Sequence, residues 1–331
     1  MNHPGTLILT RHDVAALLDL DACIAAVEQV LGASARNETL PSGILGVHVP
    51  GGGFHVKAAG LRGVHAYFAA KINANFPGNG ERFGLPTIQG IVALFDAENG
   101  YPLAVLDSAE ITALRTGAAT AVAAKYLARP DSRVATIFGC GQQGRVQLRA
   151  LARVLPIERA FACDGDPGRA KIFAEEMSAE LRFVVEMAAD GRSAARECDV
   201  CVTCTTAQKF FLKREHLRPG TFVAAVGADN PEKQELEPEL VAEAKIVTDL
   251  TSQCAVIGEL HHAIEAGLMR EADVHAELVE LVSGQKPGRT SVDEITIFDS
   301  TGIALEDVAA AAVVYEKATA EGRGQKVILG E

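Results

Sequence analysis

A glycine-rich run, Gly139-Cys140-Gly141-Gln142-Gln143-Gly144, follows the apolar stretch 134–138 and precedes a helix-forming stretch from Arg145 to about Val154. A G-x-G-x-x-G spacing placed between a strand and a helix suits the pyrophosphate of a dinucleotide. Gly139 permits the tight turn, Gly141 lets the backbone approach phosphate, and Gly144 lets the helix pack on the strand. The helix start offers unpaired N–H groups and a partial positive charge to the anion. The next strand ends at Asp164, 25 residues after Gly139. A carboxylate there accepts hydrogen bonds from a ribose 2′-hydroxyl and repels a 2′-phosphate, so the expected cofactor is NAD rather than NADP. Arg169, five residues further on, would soften that preference.

Three further residues have types suited to chemistry. Lys71 lies inside the apolar, strand-like stretch 66–73. A lysine in such surroundings loses solvation, and its pKa falls unless a partner holds the charge. It suits proton exchange or the grip of a carboxylate, against the alternative of a sheet-edge lysine reaching for water. Arg115 sits among alanines on a long helical stretch, where its guanidinium fork can grip a carboxylate. Glu110, five residues earlier, is poorly spaced to be its helix partner. Asp229 closes Ala225-Val226-Gly227-Ala228-Asp229, at the end of an apolar strand, where ligands bind in parallel sheets. It could exchange a proton with an amine or with attacking water, or simply cap the next helix.

These residues need two kinds of scaffold. The first 120 or so residues mix helix and strand signals: a strand at 7–9, helices from Asp13 to about Leu31 with Asp13 and Asp21 as expected caps, then β-like stretches at 43–49, 53–58, 66–73, 90–96 and 101–107. The last two flank the turn sequence 97–100 and should form a hairpin. Ser108 is expected to cap an alanine-rich helix that Pro130 ends. From residue 133 short apolar strands alternate with helices, as a doubly wound parallel sheet requires. A last helix, from about Ala304 to Thr319, is expected to return to the N-terminal region. The expected fold is α/β: a Rossmann domain over 121–303, and an α+β substrate and dimerisation domain over 1–120 with 304–331.

Composition excludes some functions. The 331 residues are 48% hydrophobic and carry a net charge of −12. That balance disfavours nucleic acid and anionic membrane surfaces as partners. The opening residues do not read as a secretory leader, no apolar run approaches a membrane span, and seven cysteines suit a reducing compartment, so cytoplasmic placement is expected. Cys198, Cys201 and Cys204 have metal-like spacing, but residues three apart on a strand face opposite sides, so no metal is expected there.

Several segments together resemble the ornithine cyclodeaminase/mu-crystallin family: Gly84-Leu85-Pro86-Thr87, Ile111-Thr112-Ala113-Leu114-Arg115-Thr116-Gly117-Ala118-Ala119, the glycine loop, Val226-Gly227-Ala228-Asp229 and Phe298-Asp299-Ser300-Thr301-Gly302. Within it the motifs are most similar to archaeal-type alanine dehydrogenases. The resemblance implies that Lys71 and Arg115 bind a substrate carboxylate, that Asp229 with Lys71 handles protons, and that Thr301 borders the substrate. It implies cofactor contacts from Thr87, Arg115, Gln142, Gln143, Asp164, Thr205, Val226, Gly227, Ala228, Lys233 and Ser300, beside the three loop glycines. Family cyclodeaminases carry an arginine and then a glutamate for the substrate's distal amine; here His55 stands where that glutamate would be, and Lys57 is the nearby cation.

The expected activity is therefore NAD-dependent oxidation of a small 2-amino acid, or reduction of its imine, by a homodimer. Ornithine cyclodeamination and cyclic ketimine reduction use the same machinery, and a crystallin-like dinucleotide binder without turnover is the non-enzymatic rival. Asp164→Ser is expected to lower the ratio of kcat/KM for NAD over NADP at least tenfold; an unchanged ratio would remove Asp164 from cofactor selection.

Overall fold

The computed structural model describes residues 5–63 and 65–329; the first four residues, part of the stretch read for a leader, lie outside it. The chain divides into two compact units, Met1–Arg115 with Ile303–Glu331, and Thr116–Gly302. The division falls inside the helix Ser108–Leu127.

In the first unit a sheet runs in the order Gln325–Val327, Thr6–Leu9, Pro102–Asp107, Ile88–Asp96, Tyr67–Asn75, Gly52–Leu61, Thr39–Val49. Neighbours are antiparallel except Thr6–Leu9 and Pro102–Asp107, which are parallel. Because side chains alternate along a strand, Tyr67, Ala69 and Lys71 are buried on one face while Ile72 is exposed. The helix Ala304–Glu321 packs on this sheet and on the helix Leu20–Ala35. Its buried Ala309, Ala310 and Ala311 are small enough for close approach. The turn at 97–100 closes the expected hairpin, with Gly100 at φ +77°.

Three expected caps are replaced by neighbours. Thr10, with Asp13 at the third helical position, forms a capping box for the helix Arg11–Leu17, and Asp19 accepts from Ala22 N at 2.7 Å at the start of the next helix. At the alanine-rich helix it is Asp107 that accepts from Ala109 N, at 2.9 Å, while the Ser108 hydroxyl turns to Asn73 Oδ1 at 2.7 Å. In each case a carboxyl or hydroxyl one or more positions earlier meets the N–H groups, because the helix starts sooner than its apolar periodicity suggests. The helix Asn79–Phe83, the strand Gln325–Val327 and a small parallel pair, Gln208–Leu212 with Gln234–Leu236, had no clear periodic signal.

The second unit is built on a parallel sheet ordered Ala276–Glu277, Lys245–Thr248, Thr296–Asp299, Phe222–Ala225, Val200–Thr203, Val134–Phe138, Arg159–Cys163, Val184–Met187. The inner strands Val200–Thr203, Phe222–Ala225 and Thr296–Asp299 are buried at every position, as expected when both faces are covered. From Val134–Phe138 the chain builds outward through Arg159–Cys163 and Val184–Met187, then crosses back to Val200–Thr203 on the other side. The switch point of this Rossmann-type sheet thus lies between Val134–Phe138 and Val200–Thr203. Cys198 and Cys201 are both in the apolar core of this unit. Among the described residues no helix is long and apolar enough to cross a membrane.

At the edge of the sheet where Val134–Phe138 begins, Asp199 accepts from Arg133 N at 2.8 Å and Val134 N at 3.0 Å, and pairs with Arg129 and Arg218. It is 5% exposed. Removing it leaves two backbone N–H groups and two partly exposed guanidiniums without their acceptor, which costs about 1–3 kcal/mol. Asp199→Ala is therefore expected to lower the thermal unfolding midpoint by several degrees while leaving dinucleotide affinity unchanged in the folded protein; an unaltered midpoint would show that Asp199 is not a fastener of the sheet.

Candidate functional site

The parallel register brings the second unit's predicted residues to one edge of the sheet. Phe138 pairs with Cys163 and Thr203, Thr203 with Ala225, and Ala225 with Asp299. The residues that follow these strand ends are Gly139, Asp164, Cys204, Val226 and Ser300. Brought to one edge by register, they flank the switch point, where ligands bind in open parallel sheets.

The glycines of the loop are required for different reasons. Gly139 has φ +102°, and a Cβ there would lie 2.6 Å from Cys204 O. At Gly144 a Cβ would lie 2.1 Å from Gly139 O. A Cβ on Gly141 would meet nothing within 4 Å, so no protein atom demands a glycine there. The helix Gln142–Val154 begins at Gly141 without a side-chain cap, and the positive end of its dipole lies where an anion is favoured. Open space at Gly141 beside an uncapped helix start fits a phosphate drawn close to the backbone. Beside it lies a cleft of about 1010 Å³ lined by Gly139, Gly141, Asp164, Thr205 and Arg169, among others. Asp164 Oδ2 accepts from Cys140 N at 2.8 Å and its Oδ1 from Asp166 N at 2.9 Å. Those bonds tie the acid to the glycine loop. Met187, Ala188, Thr206 and Phe211 also line the cleft. No local motif marks them, because they come from separate crossovers.

The remaining second-unit residues are held by buried acids that sequence reading missed. Glu235, fully buried, accepts from Thr205 N at 2.6 Å and Gly227 N at 3.1 Å. A Cβ on Gly227 would lie 2.3 Å from Glu235 Oε2, so the glycine is what admits the acid. Burial raises the Glu235 carboxyl above its ordinary pKa, while the bonds from Thr205 oppose that. Asp249 accepts from the Ser300 hydroxyl at 3.0 Å, from the Thr301 hydroxyl at 3.3 Å and from Gly302 N at 2.6 Å, fixing that motif. Asp229 is half exposed, and its Oδ1 lies 2.8 Å from Lys233 Nζ, which also donates to Gly227 O at 3.2 Å. Val226 and Ala228 flank Gly227; Val226 N bonds Thr203 O. Gln142 and Gln143 open the loop helix.

In the first unit, Lys71 and Arg115 meet through one carboxylate. Lys71 Nζ lies 2.8 Å from Asp307 Oδ2 and 2.9 Å from its Oδ1; Arg115 Nε lies 3.2 Å from Oδ1, and its NH1 lies 2.9 Å from Glu306 Oε2. Lys71 is 4% exposed on a strand with neighbours on both sides, so it is no edge lysine. Glu110 pairs with Arg11 at 2.6 Å. Burial lowers the Lys71 ammonium to about 8, with Arg115 and Lys57 pushing the same way and Asp307 opposing. Burial alone would raise the Asp307 carboxyl, but Lys71 and Arg115 hold it below its ordinary value. Lys57 is the cross-strand partner of Lys71, and His55 pairs in register with Asn73. Thr87 is exposed just before the strand Ile88–Asp96, its carbonyl held by Phe76 N at 2.8 Å.

The family model described as ornithine cyclodeaminase/mu-crystallin matches residues 5–322. The chain belongs to that family. Alanine dehydrogenase of Archaeoglobus fulgidus is 41% identical over 97% of this chain and 98% of its own length. The structure of an archaeal alanine dehydrogenase dimer with bound NAD superposes with a TM-score of 0.93 at 40% identity, covering 98% of this chain and 99% of that one. Thermococcus litoralis Δ1-pyrroline-2-carboxylate reductase, in complex with NADH and L-proline, also gives 0.93 at 35% identity, over 97% and 100%. The family's two-part architecture, a Rossmann-like dinucleotide domain and an α+β domain, is the one described above.

The glycine loop gives a test that separates fold from ligand. Gly141→Ala meets no protein atom and is expected to keep the wild-type unfolding midpoint while weakening dinucleotide affinity at least tenfold. Gly144→Ala is expected to lower the midpoint itself. Identical behaviour of the two variants in calorimetry and thermal unfolding would show that the open space at Gly141 has no ligand role.

Proposed function

We propose that this family member is an NAD-dependent oxidoreductase that interconverts a small 2-amino acid and its 2-imino or keto acid, as alanine dehydrogenase does. The observation that carries the reading is the near-complete likeness to the NAD-bound archaeal alanine dehydrogenase dimer, in a chain that holds Lys71 and Arg115 buried and charged on a shared acid. The cofactor is NAD, and the working form is a homodimer like that relative. Seven free cysteines agree with a reducing, cytoplasmic setting.

Bound NAD supplies the hydride acceptor, a chemistry no side chain offers. The protein supplies position and proton transfer. Gly139, Gly141, Gly144, Gln142 and Gln143 receive the pyrophosphate, and Asp164 the adenosine ribose. Thr205, Val226, Gly227, Ala228 and Ser300 form the rim for the nicotinamide half, with Lys233 beside Asp229; Thr87 and Arg115 are the further cofactor-contact candidates. Lys71 and Arg115 hold the substrate carboxylate, with Lys57 adding positive charge and Thr301 bordering the substrate. An ammonium carries three donors, so Lys71 can meet a substrate oxygen while it stays paired with Asp307. Loss of hydride from Cα leaves an iminium, and Asp229 takes the proton from the water that attacks it.

Cyclic imine reduction is the second reading, favoured by the likeness to the proline-bound pyrroline-carboxylate reductase. A screen of amino, keto and cyclic imino acids, run in both directions with NADH absorbance and ammonia recorded together, separates the two. Alanine-like oxidation forms NADH and ammonia in equal amounts; imine reduction consumes NADH without ammonia; ornithine cyclisation releases ammonia without net NADH. Asp229→Ala is expected to retain NAD binding and lose at least a hundredfold in kcat, and full turnover in that variant would remove Asp229 from the chemistry.

The state of Lys71 sets a pH limit. Its ammonium is charged below about 8 and loses the proton above it, so affinity for a carboxylate falls as pH rises through that value. We expect a basic limb in kcat/KM near pH 8 that moves upward in Lys71→Arg, whose guanidinium stays charged. A limb that ignores the substitution would assign it to another group.

A further inference from the structure

We propose that His261, His262 and Glu265 form a binding site for one divalent transition-metal ion of the zinc class, whose occupancy stiffens the segment 227–236 that carries Asp229 and Lys233. One ligating atom from each of the three lies within 4.8 Å of the other two. Two imidazoles and a carboxylate are a donor set that suits zinc better than magnesium or calcium, which prefer oxygen alone.

The far side of each ring sets this cluster apart from a chance gathering of polar side chains. His261 Nδ1 donates to Ala255 O at 3.2 Å, and His262 Nε2 donates to Lys233 O at 2.8 Å. Histidines that bind metal are typically oriented in this way: an N–H bond to a carbonyl fixes the tautomer and leaves the other nitrogen as a lone pair. That nitrogen on His261 is Nε2, which lies 3.6 Å from Glu265 Oε2. On His262 it is Nδ1. His261 and Glu265 are four residues apart on the helix Glu259–Glu265 and share a face. Zinc with bonds of about 2.0–2.2 Å draws tetrahedral ligand atoms to about 3.4 Å of one another. Closing from within 4.8 Å to that spacing asks for shifts of up to about 1.4 Å, to which the exposed Glu265 carboxylate contributes, with water in the fourth position.

The site reaches the proposed chemistry through Lys233. His262 holds the carbonyl of that residue, and its Nζ meets Asp229 Oδ1 at 2.8 Å. A metal on Nδ1 withdraws electron density from the ring and makes Nε2–H a stronger donor, so the bond to Lys233 O tightens. The relevance of this stiffening to turnover rests on the reading of Asp229 as the proton-transfer group; metal binding and stiffening do not.

The test uses the full chain, stripped with a chelator and titrated with Zn²⁺ alone in a calorimeter. One ion per chain with a micromolar Kd is expected, weakened at least tenfold in Glu265→Gln and in His261→Gln and unchanged in His275→Gln, a histidine outside the cluster. Equal affinity in wild type and both cluster variants would overturn the site. Amide hydrogen exchange of residues 227–236 is expected to slow at least threefold with saturating Zn²⁺ in the wild type and not in Glu265→Gln. Exchange that does not respond in the wild type would overturn the stiffening. Neither measurement needs turnover, so a negative amino-acid screen would count against the proposed activity and not against the metal.

Discussion

The first unit turns on one carboxylate shared between two cations. Asp307 stands between Lys71, from the middle of a sheet, and Arg115, from a helix, and all three are nearly closed to water. Any one of these charges buried alone would be strongly unfavourable, and only their mutual pairing lets the sheet and both helices close over them. Pairing also fixes both cations in place, so the substrate carboxylate proposed for them would meet groups already ordered. Burial and neighbouring cations pull Lys71 toward losing its proton, and Asp307 works against them. The result is an ammonium poised near neutrality.

The second unit uses the same device at its sheet edge, with backbone N–H groups in place of cations. Glu235 holds the Thr205 and Gly227 amides, and Asp249 holds Ser300, Thr301 and Gly302. Glu259 in turn accepts from Glu235 N and Leu236 N. Loops after parallel strands would otherwise be the loosest parts of the fold. Here buried carboxylates anchor them, while the glycine loop keeps open space at Gly141 and Asp229 stays half exposed beside Lys233.

Much of this was legible in the chain itself. The G-x-G-x-x-G run is a local pattern whose three glycines answer to local backbone demands, and two of them, Gly139 and Gly144, are enforced by close contacts in the fold. Lys71 in an apolar, strand-like stretch left a buried cation and a sheet-edge lysine both open, and the burial of its strand between two others decided for the first; the turn at 97–100 made the one hairpin it closes legible. Helix starts were less legible: Thr10, Asp19 and Asp107 do the capping expected of Asp13, Asp21 and Ser108. Candidate caps stood close together, and the choice among them depends on where the preceding strand or turn releases the chain.

The sequence by itself determined the element types, the dinucleotide loop and the identity of the cations, because each is written in a few consecutive residues with a fixed period. It did not determine their partners. Asp307 is 236 positions from Lys71, and Glu306 is 191 from Arg115. Nothing in the residues around those two acids, on a helix of alanines, marks them as buried. Tertiary packing decided otherwise, since the apolar face that drives the last helix onto the sheet carries them inward with it. The balance of charge inside the core is a property of that closure, and no local pattern encodes it.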